Sequence, residues 1–285
     1  MPCVGFGTYT LKKGQVKKPL EAAFAAGYRM LDTAWVYDNE KEIGEVLRKA
    51  SIPREDLFIE TKVWRSYHGF DKTLECARQS IRRLGVDYVD LIIIHWPGPG
   101  RHMFKQYDIP ADFTAQTRLD TWRALEQLYS DGTAKAIGVS NFSIAHLKHI
   151  MQHATVKPMV NQIELHPLLV QDELVDFCRE SGIIVQAYSS LGAGAKDGTH
   201  TLLGHPTVTS IASAHGKSAS QVLLRYGLQK GDAVLPRSSN TAHIAANIQL
   251  FDEGFVLTDE QMQELDGLNV NKRFAWKGVD PATIE

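Results

Sequence analysis

Four residues are of types whose chemistry can combine: Asp32 and Tyr37 within "GYRMLDTAWVYDNE" (27–40), Lys62 within "FIETKVW" (58–64), and His95 within "DLIIIHWP" (90–97). A tyrosine is a weak acid near neutrality, with an ordinary pKa of about 10. An ammonium beside it favours the phenolate and strengthens it as a proton donor. Lys62 can supply that ammonium, Asp32 can keep it charged and oriented, and His95 can seat a carbonyl oxygen between itself and Tyr37. Such a set suits proton donation to a carbonyl that is receiving hydride. No side chain delivers hydride, so a nicotinamide or flavin would have to be bound as well. Each residue alone has a plainer use. A strand-end Asp caps the next helix, a strand-end Lys reaches water, and a lone His is a hydrogen-bonded core residue.

What brings them together must be the surrounding elements. Short apolar runs, expected as strands, cover 4–9, 28–33, 57–63, 88–95, 134–141, 159–165, 183–189 and 233–238. They are nearly continuous in apolar character, as parallel strands covered on both faces should be. Amphipathic stretches lie between them: in 71–84, Leu74, Ala77, Ile81 and Leu84 share a face and Gly85 supplies the stop. The stretches 17–26 and 117–131 read the same way, ending at Gly27 and at "SDGT". Strands alternating with helices over this length predict an α/β fold, a (β/α)8 TIM barrel with residues 1–285 as a single domain. An open doubly wound sheet is the second choice. Its only glycine-rich candidate, "LGAGAKDG" (191–198), misses the dinucleotide spacing and lies too near the end of the chain. In a barrel the active site forms at the C-terminal strand ends. There the runs finish on Asp32, Lys62, His95, Asn141, Glu164 and Tyr188.

Composition narrows the partners. A formal charge of −2 gives no reason to expect nucleic acid or an anionic membrane. Cys3, Cys76 and Cys178 match no disulfide or metal framework, and they read as reduced thiols of a cytoplasmic protein. The first ten residues, "MPCVGFGTYT", have no signal-peptide pattern, and no apolar run is of membrane-spanning length. A metal-dependent hydrolase would need ligand-spaced clusters, which His95 and His166 do not make.

Six ordered motifs then carry a resemblance over nearly the whole length. They are "GYRMLDTAWVYDNEKEIG" (27–44), "FIETKVW", "DLIIIHWP", "GVSNFS" (138–143), "NQIELHP" (161–167) and "LPRSSN" (235–240). The chain resembles an aldo-keto reductase. The resemblance implies a catalytic tetrad of Asp32, Tyr37, Lys62 and His95, and reduction of small-molecule carbonyl substrates by a nicotinamide cofactor. It places Ser140, Asn141 and Gln162 on the carboxamide, Tyr188 on the ring face, and Ser189, Leu191 and Gly192 at the pyrophosphate. Asn141 also opens a formal glycosylation sequon, a use rejected at a barrel strand end.

The cofactor's phosphate is expected at Arg237 and Ser238, which favours NADPH. His243 stands where the family has an arginine and Ala246 where it has a glutamate, while Asn247 is retained. A largely neutral His243 weakens the phosphate preference, so some NADH use is expected. Tyr9, Trp35, Trp64, Trp96, Phe274 and Trp276 are expected to line an aromatic substrate pocket. The segment 98–114, with Arg101, His102 and Lys105, should fold over it. The hairpin that plugs the barrel floor in the family is expected to be missing or very short, and the brief tail predicts an open pocket of broad specificity. A monomer is expected. Some members of the family resembled are regulatory or structural, so a non-catalytic nicotinamide-binding role is the competing reading.

Overall fold

The computed structural model describes residues 1–99, 113–192 and 202–284. Eight strands form one parallel sheet in chain order: β1 (Phe6–Gly7), β2 (Met30–Asp32), β3 (Phe58–Val63), β4 (Leu91–Ile94), β5 (Ile137–Ser140), β6 (Val160–Glu164), β7 (Ile184–Tyr188) and β8 (Ala233–Val234). The sheet closes on itself. Val4 bridges Val234 in parallel, Gly5 N–H donates to the Val234 carbonyl at 2.9 Å, and Val234 N–H donates to Cys3 at 2.8 Å. The result is a (β/α)8 barrel. Residues 1–5 enter β1 without forming a hairpin.

The helices are α1 (Lys17–Ala25), α2 (Glu40–Leu47), α3 (Phe70–Leu84), α4 (Ala115–Ser130), α5 (Ile144–His153), α6 (Asp172–Glu180), α7 (Pro206–His215), α8 (Ala219–Gln229), α9 (Thr241–Ile248) and α10 (Asp259–Asp266). Their limits follow local chemistry. Thr114, Ser143, Ser218 and Thr258 each accept a hydrogen bond from the third residue of the helix they open, closing capping boxes. Gly85, at φ 68°, ends α3 in the left-handed conformation that suits glycine. Gly44 lets α2 lie against the end of α3, because a Cβ there would stand 2.5 Å from the carbonyls of Arg83 and Leu84. That contact seats α2 directly after Tyr37.

The core explains the unbroken apolar runs. Every residue of β2, β4, β5 and β6 is buried. Strands β1 and β8 are shorter than their apolar runs predict. Past Leu235 the ladder loses a donor, since Pro236 has no N–H, although its carbonyl still accepts from Gly7 at 3.0 Å.

Candidate functional site

The barrel gathers the strand-end residues at one rim. Asp32 ends β2, Glu164 ends β6 and Tyr188 ends β7; Lys62 is one residue short of the end of β3, and His95 and Asn141 follow β4 and β5 directly. Tyr37 lies in a 3-10 turn (Trp35–Tyr37) that the chain enters straight after β2. Asp38 closes this turn at φ 54°, and buried Asn39 braces it. The Asn39 amide donates to the carbonyls of Thr8 (3.0 Å) and Leu11 (3.2 Å) and accepts from the Thr33 hydroxyl at 3.0 Å.

Lys62 is the hub. Its ammonium forms an ion pair with Asp32 and donates to the Thr33 carbonyl at 3.0 Å and the Tyr37 hydroxyl at 3.4 Å, a partner for each of its three hydrogens. The His95 ring meets the Tyr37 ring edge-on, with centroids 5.7 Å apart. Burial, with the charges of Lys62 and Arg65, holds His95 well below its ordinary pKa, so the imidazole is neutral. Its Nδ1 has no partner among the described residues.

The electrostatics differ from the sequence expectation at Tyr37. Burial first, then Asp32, Tyr9 and, last, Glu60, push this phenol well above its ordinary pKa. Lys62 is paired with Asp32, so little net positive field is left to acidify its neighbour.

Nearby, the Ser140 hydroxyl donates to the Gln162 carbonyl at 2.8 Å, and the Asn141 amide donates to the His95 carbonyl at 2.9 Å. Buried and engaged in this way, Asn141 is no glycosylation site. The Tyr188 hydroxyl donates to Asn141 Oδ1 at 2.6 Å. Gln162 departs from expectation. Its amide nitrogen turns into the barrel, within hydrogen-bond reach of Asp32 (3.0 Å), Glu60 (2.8 Å) and Gln186 (3.0 Å).

Farther along the rim, Arg237 and Ser238 precede α9. The Arg237 guanidinium donates to the carbonyls of Tyr9 (3.1 Å) and Thr10 (3.2 Å). Asn240 caps α9 by accepting from Ala242 and His243, which leaves the positive helix end at the surface with the His243 side chain exposed beside it. Asn247 is buried with its side-chain carbonyl unpartnered among the described residues. Ser189 (φ 54°) and Gly192 (φ 70°) mark a sharp turn after β7. The remaining segment expected at the pyrophosphate, residues 193–198, lies outside the described residues, as do Arg101, His102 and Lys105.

Of the aromatic residues, Trp64 and Trp96 are fully buried beneath Trp276, whose ring centroid is 6.3 Å and 5.4 Å from theirs. Tyr9 lies beside Tyr37 (5.0 Å) and Trp276 (5.7 Å). Trp35 packs against the same aromatic group; its indole N–H donates to Gln79 of α3 at 2.9 Å, and its ring lies on Tyr67 and under Arg83. The tail carries Trp276 to the mouth, where its ring meets that of His95 edge-on with centroids 5.6 Å apart. Glu164 anchors that tail: one carboxylate oxygen accepts from His166 (3.2 Å) and from the backbone N–H groups of Phe274 (2.6 Å) and Ala275 (3.0 Å). Burial opposes ionisation of Glu164, but these donors outweigh it and hold the carboxyl below its ordinary pKa. The Trp276 indole lies beside the Tyr188 hydroxyl. A cavity of about 700 Å³ opens beside Asn141 and Glu164 and extends to Arg273 and Asp280.

Sequence reasoning missed Asn39, Glu60, Gln186 and the anchoring role of Glu164. For Glu60 a signal existed: two residues before Lys62 on one strand, it must face the same way. Among the described residues no cluster of three His, Cys, Asp or Glu side chains could hold a metal, and no helix is long and apolar enough to cross a membrane.

A closed parallel barrel with polar side chains gathered at its C-terminal rim is the architecture of a barrel enzyme. Residues 3–270 match the model of the Aldo/keto reductase family, and the chain belongs to that family. It is an oxidoreductase acting on carbonyl groups. Glyoxal reductase of Bacillus subtilis is 40% identical over 274 residues, covering 96% of this chain and 91% of that protein. The 9,11-endoperoxide prostaglandin H2 reductase of Trypanosoma cruzi is 39% identical, covering 99% and 91%. A solved aldo-keto reductase of Bombyx mori, in complex with NADP, superposes with a TM-score of 0.86 at 34% identity, covering 96% and 91%.

Proposed function

We propose that the protein is an NADPH-dependent reductase of aldehydes and ketones in which Tyr37 donates the proton, and that residues 1–285 act as one domain, as a monomer in the cytoplasm. The observation that carries this reading is the meeting of Lys62 with both Asp32 and Tyr37, alongside a neutral His95. A bound nicotinamide supplies the hydride that no protein side chain can give. Ser140, Asn141 and Tyr188 would hold its carboxamide and ring, with Gln162 contributing only its remaining amide oxygen. Arg237, Ser238 and the start of α9 would hold the 2′-phosphate, the turn at Ser189, Leu191 and Gly192 the pyrophosphate, and the orphaned carbonyl of Asn247 the adenine. The NADP complex of the Bombyx mori relative supports this assignment. Arg237 is already shared with two backbone carbonyls and His243 is exposed, which supports a modest phosphate preference and some NADH use.

The substrate oxygen sits between the Tyr37 hydroxyl and the His95 ring. As negative charge develops on that oxygen it becomes an alkoxide, a stronger base than phenolate. A phenol raised above its ordinary pKa therefore still yields its proton, and it stays protonated at every working pH until needed. The phenolate left behind faces the Lys62 ammonium, which stabilises it. Tyr9, Phe274 and Trp276, backed by the buried Trp64 and Trp96, give the mouth an apolar lining suited to aryl and alkyl carbonyls. The test is NADPH consumption with 4-nitrobenzaldehyde. Wild type should turn over, whereas Tyr37→Phe should lose turnover and keep its NADPH affinity. Cofactor binding without turnover in wild type would instead support a sensor or scaffold role.

A further inference from the structure

We propose that Glu60 is a positioning residue of this site: through the amide it shares with Asp32 it fixes Asp32 against Lys62, and its own charge state sets how readily Tyr37 gives up a proton. The proposal deepens the function above and rests on Tyr37 being the donor. Asp32 and Glu60 are register partners on β2 and β3, and Glu60 is wholly buried inside the barrel. One nitrogen, Nε2 of Gln162, donates to Asp32 Oδ1 at 3.0 Å and Glu60 Oε1 at 2.8 Å. The two carboxyl oxygens are thus no farther apart than two hydrogen bonds laid end to end. The same nitrogen also meets Gln186 Oε1 at 3.0 Å, while Gln186 Nε2 donates to Glu60 Oε2 at 2.9 Å.

Two counts point the same way. An amide nitrogen carries two hydrogens, and this one faces three acceptors. At least one of these acceptors is therefore left without a hydrogen from Gln162, which disfavours keeping both carboxyls ionised. The charges also fall short, because two carboxyls face a single ammonium. The titratable groups around Glu60 are Asp32 from β2, Lys62 from its own strand and Tyr37 from the 35–37 turn; β6 and β7 contribute only the neutral amides of Gln162 and Gln186. Burial and then the Asp32 charge push the Glu60 carboxyl up, against the pull of Lys62 and of the Gln186 hydrogen bond. Near neutrality Glu60 is therefore a neutral floor under Asp32. As pH rises and it ionises, a second negative charge appears below the site, which raises Tyr37 further and makes it a poorer acid.

The experiment has two readouts on the full-length protein. The first follows side-chain carboxyl carbons by NMR in glutamate-labelled wild type, without substrate, with Glu60→Gln for assignment. The Glu60 carbon is expected to titrate well above the ordinary glutamate value of about 4.3. The second is the single-turnover rate of NADPH oxidation with 4-nitrobenzaldehyde against pH. Wild type should slow about three- to tenfold across the Glu60 titration, and Glu60→Gln should lose that step. A Glu60 carbon that titrates like a free glutamate, or superimposable rate profiles, overturns the proposal. Should the glutamine variant not fold, Glu60→Thr, which also lacks the carboxyl, gives the assignment and the profile. The carbon titration involves no turnover. It stands or falls separately from the Tyr37 assignment, which Tyr37→Phe tests.

Discussion

The two ends of the proposed site are built in opposite ways. Around β2 to β4, Asp32, Lys62 and His95 are buried, and Asp32 and Lys62 already hold their partners within the protein. Around β8 and α9, Arg237 and His243 lie at the surface, and the helix end is open to water. Proton transfer needs groups fixed beforehand in a dry environment, where reorganisation is small. Phosphate recognition needs an entry path and a helix end not yet neutralised. The difference predicts that substitutions at the first end damage both fold and chemistry, and that those at the second change mainly affinity.

The strongest way to break this comparison is Asp32→Ala. Removing one partner of a buried ion pair leaves Lys62 uncompensated, and about 3–5 kcal/mol of stability should be lost. A urea midpoint unchanged from wild type would show that the first end is not preorganised as described. Arg237→Ala should cost about 1.5–3 kcal/mol of NADPH binding with only a small fall in urea midpoint, from its lost bonds to Tyr9 and Thr10, and NADH affinity should hardly move. Equal losses for both cofactors, read by fluorescence titration, would remove Arg237 from phosphate recognition.

His68 sharpens the contrast on the buried side. Burial first, then Arg118 and Arg65, push it down to about 3. The unfolded chain takes up a proton here near pH 6.5, whereas the folded protein does not until about 3, so the stability present above pH 6.5 is lost as pH falls through that window. Between pH 6.5 and 5 the loss from this residue should be about 2 kcal/mol. His68→Gln should flatten the fall in urea midpoint over that range; an equally steep fall would dismiss it. The smallest effect is expected at exposed His243. Arg in its place should tighten NADPH a few-fold and leave NADH unchanged, a difference of about 0.3–1 kcal/mol measurable by competition.

Much of this was legible in the chain because a parallel barrel turns strand ends into a shared address. Asp32, Lys62, His95, Asn141, Glu164 and Tyr188 could be collected from apolar runs without knowing a single contact. Direction was harder to read. Gln162 lies on the expected strand, yet its nitrogen meets Asp32, Glu60 and Gln186, partners 130, 102 and 24 residues away that no local pattern joins. Trp35 is two residues from Tyr37 but turns to α3, since a 3-10 turn sends neighbouring side chains to different sides. The Tyr37 phenol was expected to be acidified by Lys62, a reading that counted the ammonium and Asp32 but not burial or Glu60. The placing of Trp276 at the mouth depends on backbone N–H groups reaching Glu164, and backbone donors leave no trace in residue types.

That anchorage has a practical bearing on redesign. Because the indole at the mouth also lies beside Tyr188, which itself grips Asn141, the tail touches both halves of the proposed site. Anyone enlarging the entrance by replacing Trp276 should also loosen Tyr188, the platform proposed for the coenzyme ring. Screens of such variants should therefore record coenzyme affinity beside substrate range, because the two will change together.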